Sequence, residues 1–378
     1  MIYLDHNATT PVRPEVREAM LPWLGEQWGS PSSIHAPGRL ARQAVESSRR
    51  ALAELLKSHA SQVVLTSGGS EANNMALFGL AAAKNFRGEI IVSAMEHPSI
   101  LEPCRMLARR GIKIHLAPVN DQGEVDAPWI LATLTPETIL VSVMQANNET
   151  GVLQPVETIG QECRARGVPL HVDATQTVGR IDVDLSRLPV DLLTISAHKF
   201  GGPKGVGALI LDKRLPMEPL ISGGGHEWGR RAGTENVPGI VGLGAAVTAL
   251  APGLAAETAR LTQLRRLLEE KMLSLLPDCV IFGQKAARLP NTTLLGLAGL
   301  DGETLVMNMD LAGFAVSGGS ACSSGRMAFS HVLRAMGTPE TLGRGAVRVS
   351  LGWNSQPHDV EQFIQSFVRV VERLRKGA

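Results

Sequence analysis

The chain has 378 residues, 44 % of them hydrophobic and 19 % charged, with Lys+Arg 37 against Asp+Glu 36. That composition excludes a disordered chain, and the near-neutral balance gives no electrostatic reason to expect a nucleic-acid or acidic-membrane partner. The length exceeds a usual single core, so a large domain with a smaller companion is expected.

The chain opens Met1-Ile-Tyr-Leu-Asp-His-Asn-Ala-Thr-Thr-Pro11, without a basic stretch leading into an apolar one, and no later stretch is long and apolar enough to span a bilayer. A cytoplasmic protein with no membrane partner is expected. Its four cysteines, Cys104, Cys163, Cys279 and Cys322, are far apart. With no CxxC pair among them, neither a zinc site nor a disulfide framework is signalled.

Residues 1–14 are too short to stand alone and are expected to join another layer. A helical pattern covers Val12 to Trp28 and breaks at Gly29-Ser-Pro-Ser-Ser33. Arg39 to Lys57 predicts an amphipathic helix with Leu40, Ala44, Leu52 and Leu55/Leu56 on one face. Val63–Thr66 then predicts a strand, Ser67-Gly-Gly-Ser70 a turn, and a helix begins near Glu71. Unpaired N–H groups and the positive end of the helix dipole would make that turn an anion pocket, although a plain N-cap by Ser70 explains the same residues.

Apolar strands follow at Ile90–Ser93, Ile112–Leu116, Ile139–Met144, Leu170–Val172, Leu192–Ser196 and Val206–Leu211, most separated by helix-length segments. This alternation predicts an α/β fold with a mainly parallel central sheet flanked by helices, its ligands gathered at the C-terminal strand ends. Polar clusters sit there: Ser93-Ala-Met-Glu-His97, Gln145-Ala-Asn-Asn148, Asp173-Ala-Thr-Gln176 and Ser196-Ala-His-Lys199. The glycine- and arginine-rich stretch 222–236 is expected to be a loop too irregular to pack, either mobile or organised by an anion or a neighbour. Glu257–Leu276 predicts a helix crossing to a smaller α+β domain. That domain would hold strands near Cys279–Phe282, Thr292–Leu297 and Val347–Leu351 and a helix from His358 to Arg375. The expected division is 15–255 for the large domain and 1–14 plus 256–378 for the small one.

Lys199, leaving an apolar strand among glycines, can be desolvated, which frees an amine to attack a carbonyl, although a lysine after a strand is more often a solvated loop residue. Pyridoxal 5′-phosphate requires such a lysine, a carboxylate for its pyridine nitrogen, a phosphate cup and a group against its ring. Asp173 would meet the nitrogen, unless it is a turn or cap aspartate. Gln176 and Asn148 would reach the ring oxygen. His97 would stack or shuttle protons, or merely cap the helix near Pro98. Ser67–Ser70, Ser196 and His198 would share the phosphate. Cys322 lies in Val316-Ser-Gly-Gly-Ser-Ala-Cys-Ser-Ser-Gly325, small residues without apolar periodicity, which predicts a displayed, nucleophilic thiol. The other three cysteines are expected to be buried and structural.

The chain resembles the cysteine desulfurases of the NifS/IscS type nearly end to end. The likeness runs through Tyr3-Leu-Asp-His-Asn-Ala-Thr-Thr-Pro11, Thr66-Ser-Gly-Gly-Ser-Glu-Ala-Asn-Asn74, Glu96-His97, Asn147-Asn-Glu-Thr-Gly151, His171-Val-Asp-Ala-Thr-Gln176, Ser196-Ala-His-Lys199, Arg230-Arg-Ala-Gly-Thr-Glu-Asn236, Gly319-Ser-Ala-Cys322 and Val347-Arg-Val-Ser-Leu-Gly352. The resemblance implies a homodimeric fold-type I pyridoxal-phosphate enzyme. It would take sulfur from L-cysteine, release L-alanine and pass a Cys322 persulfide to an acceptor protein such as an iron–sulfur scaffold or thiolation factor. By position it implies Lys199 as the cofactor lysine, Asp173, Gln176, Asn148 and His97 around the ring, and Gly69, Ser70, Ser196 and His198 at the phosphate. It further implies Thr234 at the other subunit's phosphate and Arg348 at the substrate carboxylate. The chain departs from the family at Gly29-Ser30-Pro31, where many relatives have asparagine, and at Gly318-Gly319 in place of Ser-Gly. A selenocysteine lyase, a small-substrate aminotransferase and a non-catalytic sulfur carrier are the alternatives.

Overall fold

The computed structural model describes residues 1–318 and 329–376. The chain begins with β1 (Ile2–Tyr3). The main sheet follows, from β2 (Val63–Thr66), β3 (Glu89–Ser93), β4 (Lys113–Ala117), β5 (Thr138–Met144), β6 (Leu170–Asp173), β7 (Leu192–Ser196) and β8 (Gly207–Leu211), in the order β2-β8-β7-β6-β5-β3-β4. Pairing is parallel from β7 through β4, and only β8 runs against its neighbours. The C-terminal ends of β2, β7, β6, β5 and β3 therefore open on one edge, as the strand–helix alternation predicts.

The strands are apolar on both faces because both faces are covered. Leu65, Val141, Val143, Val172, Leu193 and Ile195 pack with the helices Ala36–Leu55, Val156–Ala165 and Val237–Leu250. Val64, Ile90, Val92, Leu140, Leu192 and Leu209 face the helices Gly69–Ala83 and Pro98–Ala108. Each fully buried aliphatic side chain of this kind contributes ~1.5–3 kcal/mol.

A second sheet carries β9 (Val280–Ile281), β10 (Thr292–Gly296), β12 (Ser317–Gly318) and β13 (Ala346–Ser350), all antiparallel; β11 (Phe314–Ala315) pairs with β1 instead. Its core joins Leu264, Leu268 and Met272 of the helix Leu254–Leu275 with Phe363 and Phe367 of Pro357–Lys376. Leu4 belongs to this core, so the first residues are held by the C-terminal part of the chain. The next residues then run back across the edge of the main sheet.

Several boundaries differ from the sequence reading for local reasons. The first helix is Pro14–Leu24, shorter than Val12–Trp28, because Pro14 occupies the first helical position and Gly25 ends it. The second starts early, at Ala36, because the His35 side chain accepts from the Gly38 amide; it ends at Leu55, and Lys57 then turns left-handed at φ 51°. Its buried face runs through Ala41, Val45, Ser48 and Leu52, whereas Leu40, expected inside, is 44 % exposed. The stretch 222–236 is also more than an irregular loop: Glu227 is buried and forms a bidentate ion pair with Arg49 at 2.6 and 2.8 Å.

Candidate active site

A cavity of about 500 Å³ opens at the C-terminal strand ends. It brings together Lys199, His198 and Ser196 after β7, Asp173 and Gln176 after β6, Asn148 after β5, His97 after β3, Gly69 and Ser70 after β2, and Arg348 from β13. Ser67 of the expected cup is not in its wall; its amide donates instead to Glu71 at 2.8 Å. Thr234 is exposed and lies outside this cavity on its own chain. Cys322 lies outside the described residues.

The Lys199 amine donates to the backbone carbonyls of Asn7 at 2.5 Å and Ala8 at 2.9 Å. Enclosure by the protein and the nearby Arg180 and Arg348 pull its pKa down to about 7, against the opposing pull of Asp173 and Asp5. A sizeable fraction is therefore unprotonated and nucleophilic at neutral pH. Burial and the Lys199 charge likewise bring His198 down to about 4, so it is neutral there; its Nδ1 meets Thr9 Oγ1 at 3.1 Å.

Asp173 is held from behind, accepting from Asn73 at 2.8 Å and from the Thr175 amide at 2.9 Å. His97 caps the helix that begins at Pro98 and faces the cavity as well, so both readings of this residue describe its position. Its Nδ1 accepts from the Ser99 amide at 3.1 Å, which places the proton of the neutral ring on Nε2. Its crowded setting lowers its pKa, with Lys199 and His331 adding to the effect and Asp173 opposing it.

The turn after β2 is shaped by close backbone approach. Gly68, not Ser70, is the N-cap of the helix Gly69–Ala83. A side chain at Gly207 on β8 would meet Gly68 Cα at 2.8 Å, and one at Gly69 would meet Thr175 Oγ1 at 3.1 Å. The first amides of this helix lack intrahelical partners, and Thr175 Oγ1 beside them is buried without any partner. These donors fit a phosphate, and the desolvated amine, the buried carboxylate of Asp173 and the Gln176 amide fit the rest of a pyridoxal phosphate molecule.

The wall also contains residues that the strand-end rule did not select. Asp5, Asn7 and Ala8 arrive on the N-terminal segment, Asn73 on the helix after the turn, and His331 and Ser317 from the C-terminal part. Arg348 donates to Asp5 at 2.7 Å and to the Asn148 carbonyl at 2.9 Å. Glu149, 3 % exposed, accepts from Ser330 at 2.5 Å, and burial pushes it up to about 7 despite Ser330 and Arg348. Cys104, Cys163 and Cys279 are buried and free, and burial raises their thiols to about 12, 12 and 11. At neutral pH they are not nucleophiles.

The family model described as Aminotransferase class-V matches residues 2–363. A cysteine desulfurase IscS of Dictyoglomus turgidum is 43 % identical over 375 residues, covering 99 % of this chain and 95 % of that relative. A solved NifS-like protein superposes with a TM-score of 0.92 at 34 % identity, covering 98 % of this chain and 99 % of its own. The NifS-like protein from Rickettsia africae gives a TM-score of 0.89 at 36 % identity, with the same coverage of 98 % and 99 %.

Proposed function

The chain belongs to the class-V aminotransferase family and, within it, to the cysteine desulfurases, and from that premise we propose that its cavity works with pyridoxal 5′-phosphate and that Cys322 receives the sulfur. The carrying observation is the convergence of Lys199, Asp173, Gln176 and His97 on one cavity from separate strand ends. Bound there, the cofactor would supply an aldehyde carbon and an electron sink for bonds at the substrate Cα. Lys199 would hold it, Asp173 would face its pyridine nitrogen, Gln176 and Asn148 its ring oxygen, and Gly69, Ser70, Ser196 and His198 its phosphate.

The protein's own groups then divide the remaining work. Lys199, with a pKa near neutrality, takes and returns a proton at Nζ. His97 carries its proton on Nε2, available on the cavity side for a second transfer. Arg348 would receive the substrate carboxylate in competition with Asp5. The net exchange converts L-cysteine and the Cys322 thiol into L-alanine and a Cys322 persulfide, which balances in atoms and charge. The persulfide would pass to an acceptor protein, an iron–sulfur scaffold or a thiolation factor.

The chain would act as a homodimer, with Thr234 reaching its partner's phosphate group. In support, Trp228 is 54 % exposed in a second cavity lined also by Pro31, Ser32 and His226, with Trp28 and Ile34 exposed on either side of that segment. Exposed aromatics around a concave surface suit an interface. Residues 15–255 would form the large domain and 1–14 plus 256–378 the small one, in keeping with the separate cores. A cytoplasmic location is supported by the free buried thiols and by the absence of any single helix long and apolar enough to cross a membrane among the described residues.

Incubation with L-cysteine tests the reading by measuring alanine, the mass of the Cys322 peptide and the visible absorbance together. Stoichiometric alanine with a 32-dalton-class sulfur adduct on Cys322, about one sulfur atom per chain, is expected for a covalent carrier. Alanine without that adduct overturns the role of Cys322 and spares the cofactor assignment.

A further inference from the structure

Arg180 is 5 % exposed and has no ion pair among the described residues. Its guanidinium instead donates to neutral oxygens: the Gln176 carbonyl at 2.7 Å, the Gln176 side-chain Oε1, and the His6 carbonyl at 3.1 Å. With Oε1 taken, the other end of the Gln176 amide donates through Nε2 to the Asn7 carbonyl at 3.1 Å. The Lys199 amine donates to that same carbonyl at 2.5 Å. Arg180 and Lys199 also line one small recess behind the site, together with His6 and Glu257.

We infer that Arg180 is a positioning residue of this site: it fixes the Gln176 amide with its NH2 end forward, and it supplies a buried positive charge that favours the unprotonated amine of Lys199. The inference rests on the proposed role of Lys199. Burying an arginine without a carboxylate is costly, and such a cation keeps a long-range field because no counter-charge cancels it.

The other charges around Lys199 are differently placed. Arg348 is matched by Asp5 at 2.7 Å. Asp173 opposes Arg180 but is engaged by Asn73 and the Thr175 amide. His97 and His198 have lowered pKa values and are neutral at pH 7. Glu257, the carboxylate that lines the recess with Arg180, is paired with Arg13 at 3.1 Å. Burial and Arg348 bring Arg180 itself down to about 9, with Glu257 opposing, so it remains cationic at neutral pH.

The test uses the full chain, with and without added pyridoxal phosphate. Reductive methylation by formaldehyde and cyanoborohydride, read at the Lys199 peptide by mass spectrometry across pH, gives the titration midpoint of that amine. Arg180→Met and the polar but neutral Arg180→Gln are expected to raise the midpoint by about one pH unit, so labelling at pH 7 falls roughly fivefold. Arg180→Lys, which keeps the charge, is expected to restore the native midpoint. Unchanged midpoints in both neutral variants, with native circular dichroism, overturn the inference; so does a charge-retaining variant that behaves like the neutral ones. Pyridoxal phosphate is expected to protect Lys199 from methylation. Loss of that protection would refute the cofactor assignment without affecting the midpoint comparison.

Discussion

Arg49 and Arg180 are both buried, 3 % and 5 % exposed, yet they have opposite partners. Arg49 grips both oxygens of Glu227, reaches the Val63 carbonyl at 2.7 Å and Glu46 at 3.1 Å, and stacks over Trp228 at 4.7 Å. Burial alone would lower its pKa, but Glu227 and Glu46 outweigh that and raise it. Arg180 has only amide and carbonyl oxygens. A matched buried cation spends its field on its carboxylate and acts as a structural anchor. An unmatched one leaves its field for the site beside it. The Arg49 anchor holds Glu227 and Trp228 in left-handed backbone at φ 47° and 58°, a conformation costing about 1–2 kcal/mol per residue, in the loop that leads to Thr234.

The largest effect expected from this contrast is on stability at the anchor. Arg49→Met leaves Glu227 buried and unpaired, and urea unfolding should show a loss of ~3–5 kcal/mol. Arg180→Met removes a charge that had no ion-pair partner, so relief of its burial offsets the lost hydrogen bonds. If it costs as much as Arg49→Met, the contrast fails.

Gly352→Ala probes how Arg180 is held. A Cβ there would meet His6 Nδ1 at 2.0 Å, displacing the residue whose carbonyl Arg180 grips. A loss of ~1–3 kcal/mol is expected from overpacking, with a shifted Lys199 midpoint in the methylation assay. Glu227→Gln, at the distant anchor, should leave that midpoint in place.

Carboxylates offer a parallel comparison and a smaller effect. Glu227 has Arg49, whereas buried Glu149 accepts from the Ser330 hydroxyl and has its pKa raised from 4.5 to about 7. The folded protein thus holds this proton more tightly than the unfolded chain. Its stabilising contribution is full below about pH 4.5 and is lost as pH rises through about 7. Glu149→Gln should therefore gain on the native protein by on the order of 2 kcal/mol between pH 5 and pH 8 in chemical unfolding. A gap that stays constant across this range would show that Glu149 does not titrate there.

The smallest stability change is expected for Arg180→Met itself, about 1 kcal/mol or less in either direction. Its effect belongs to the titration of Lys199 instead.

Much of the site was legible because parallel strands send their polar ends to one edge. Asp173, Gln176, Ser196, His198 and Lys199 each follow an apolar run directly, and the structure places all of them in one wall. Asn7, Asn73 and His331 carry no such signal. Asn7 sits 192 positions from Lys199, and only the pairing of Ile2 with Phe314 and the bridge from Asp5 to Ser350 bring its carbonyl to the amine. Glu227 was equally hidden, since a charged residue among glycines reads as solvated until its counter-ion is known.

The sequence by itself determined the alternation of strand and helix, the apolar faces of the strands and the chemical types at their ends, because these follow from periodicities within a few residues. It also carried a family likeness along nearly its whole length. Tertiary structure alone decided which charges are matched. Whether a buried arginine anchors a loop or biases a lysine depends on what the fold packs within a few ångströms of it: Arg49 meets Glu227 from a distant part of the chain, whereas Arg180 donates to its neighbour Gln176 and to the carbonyl of distant His6.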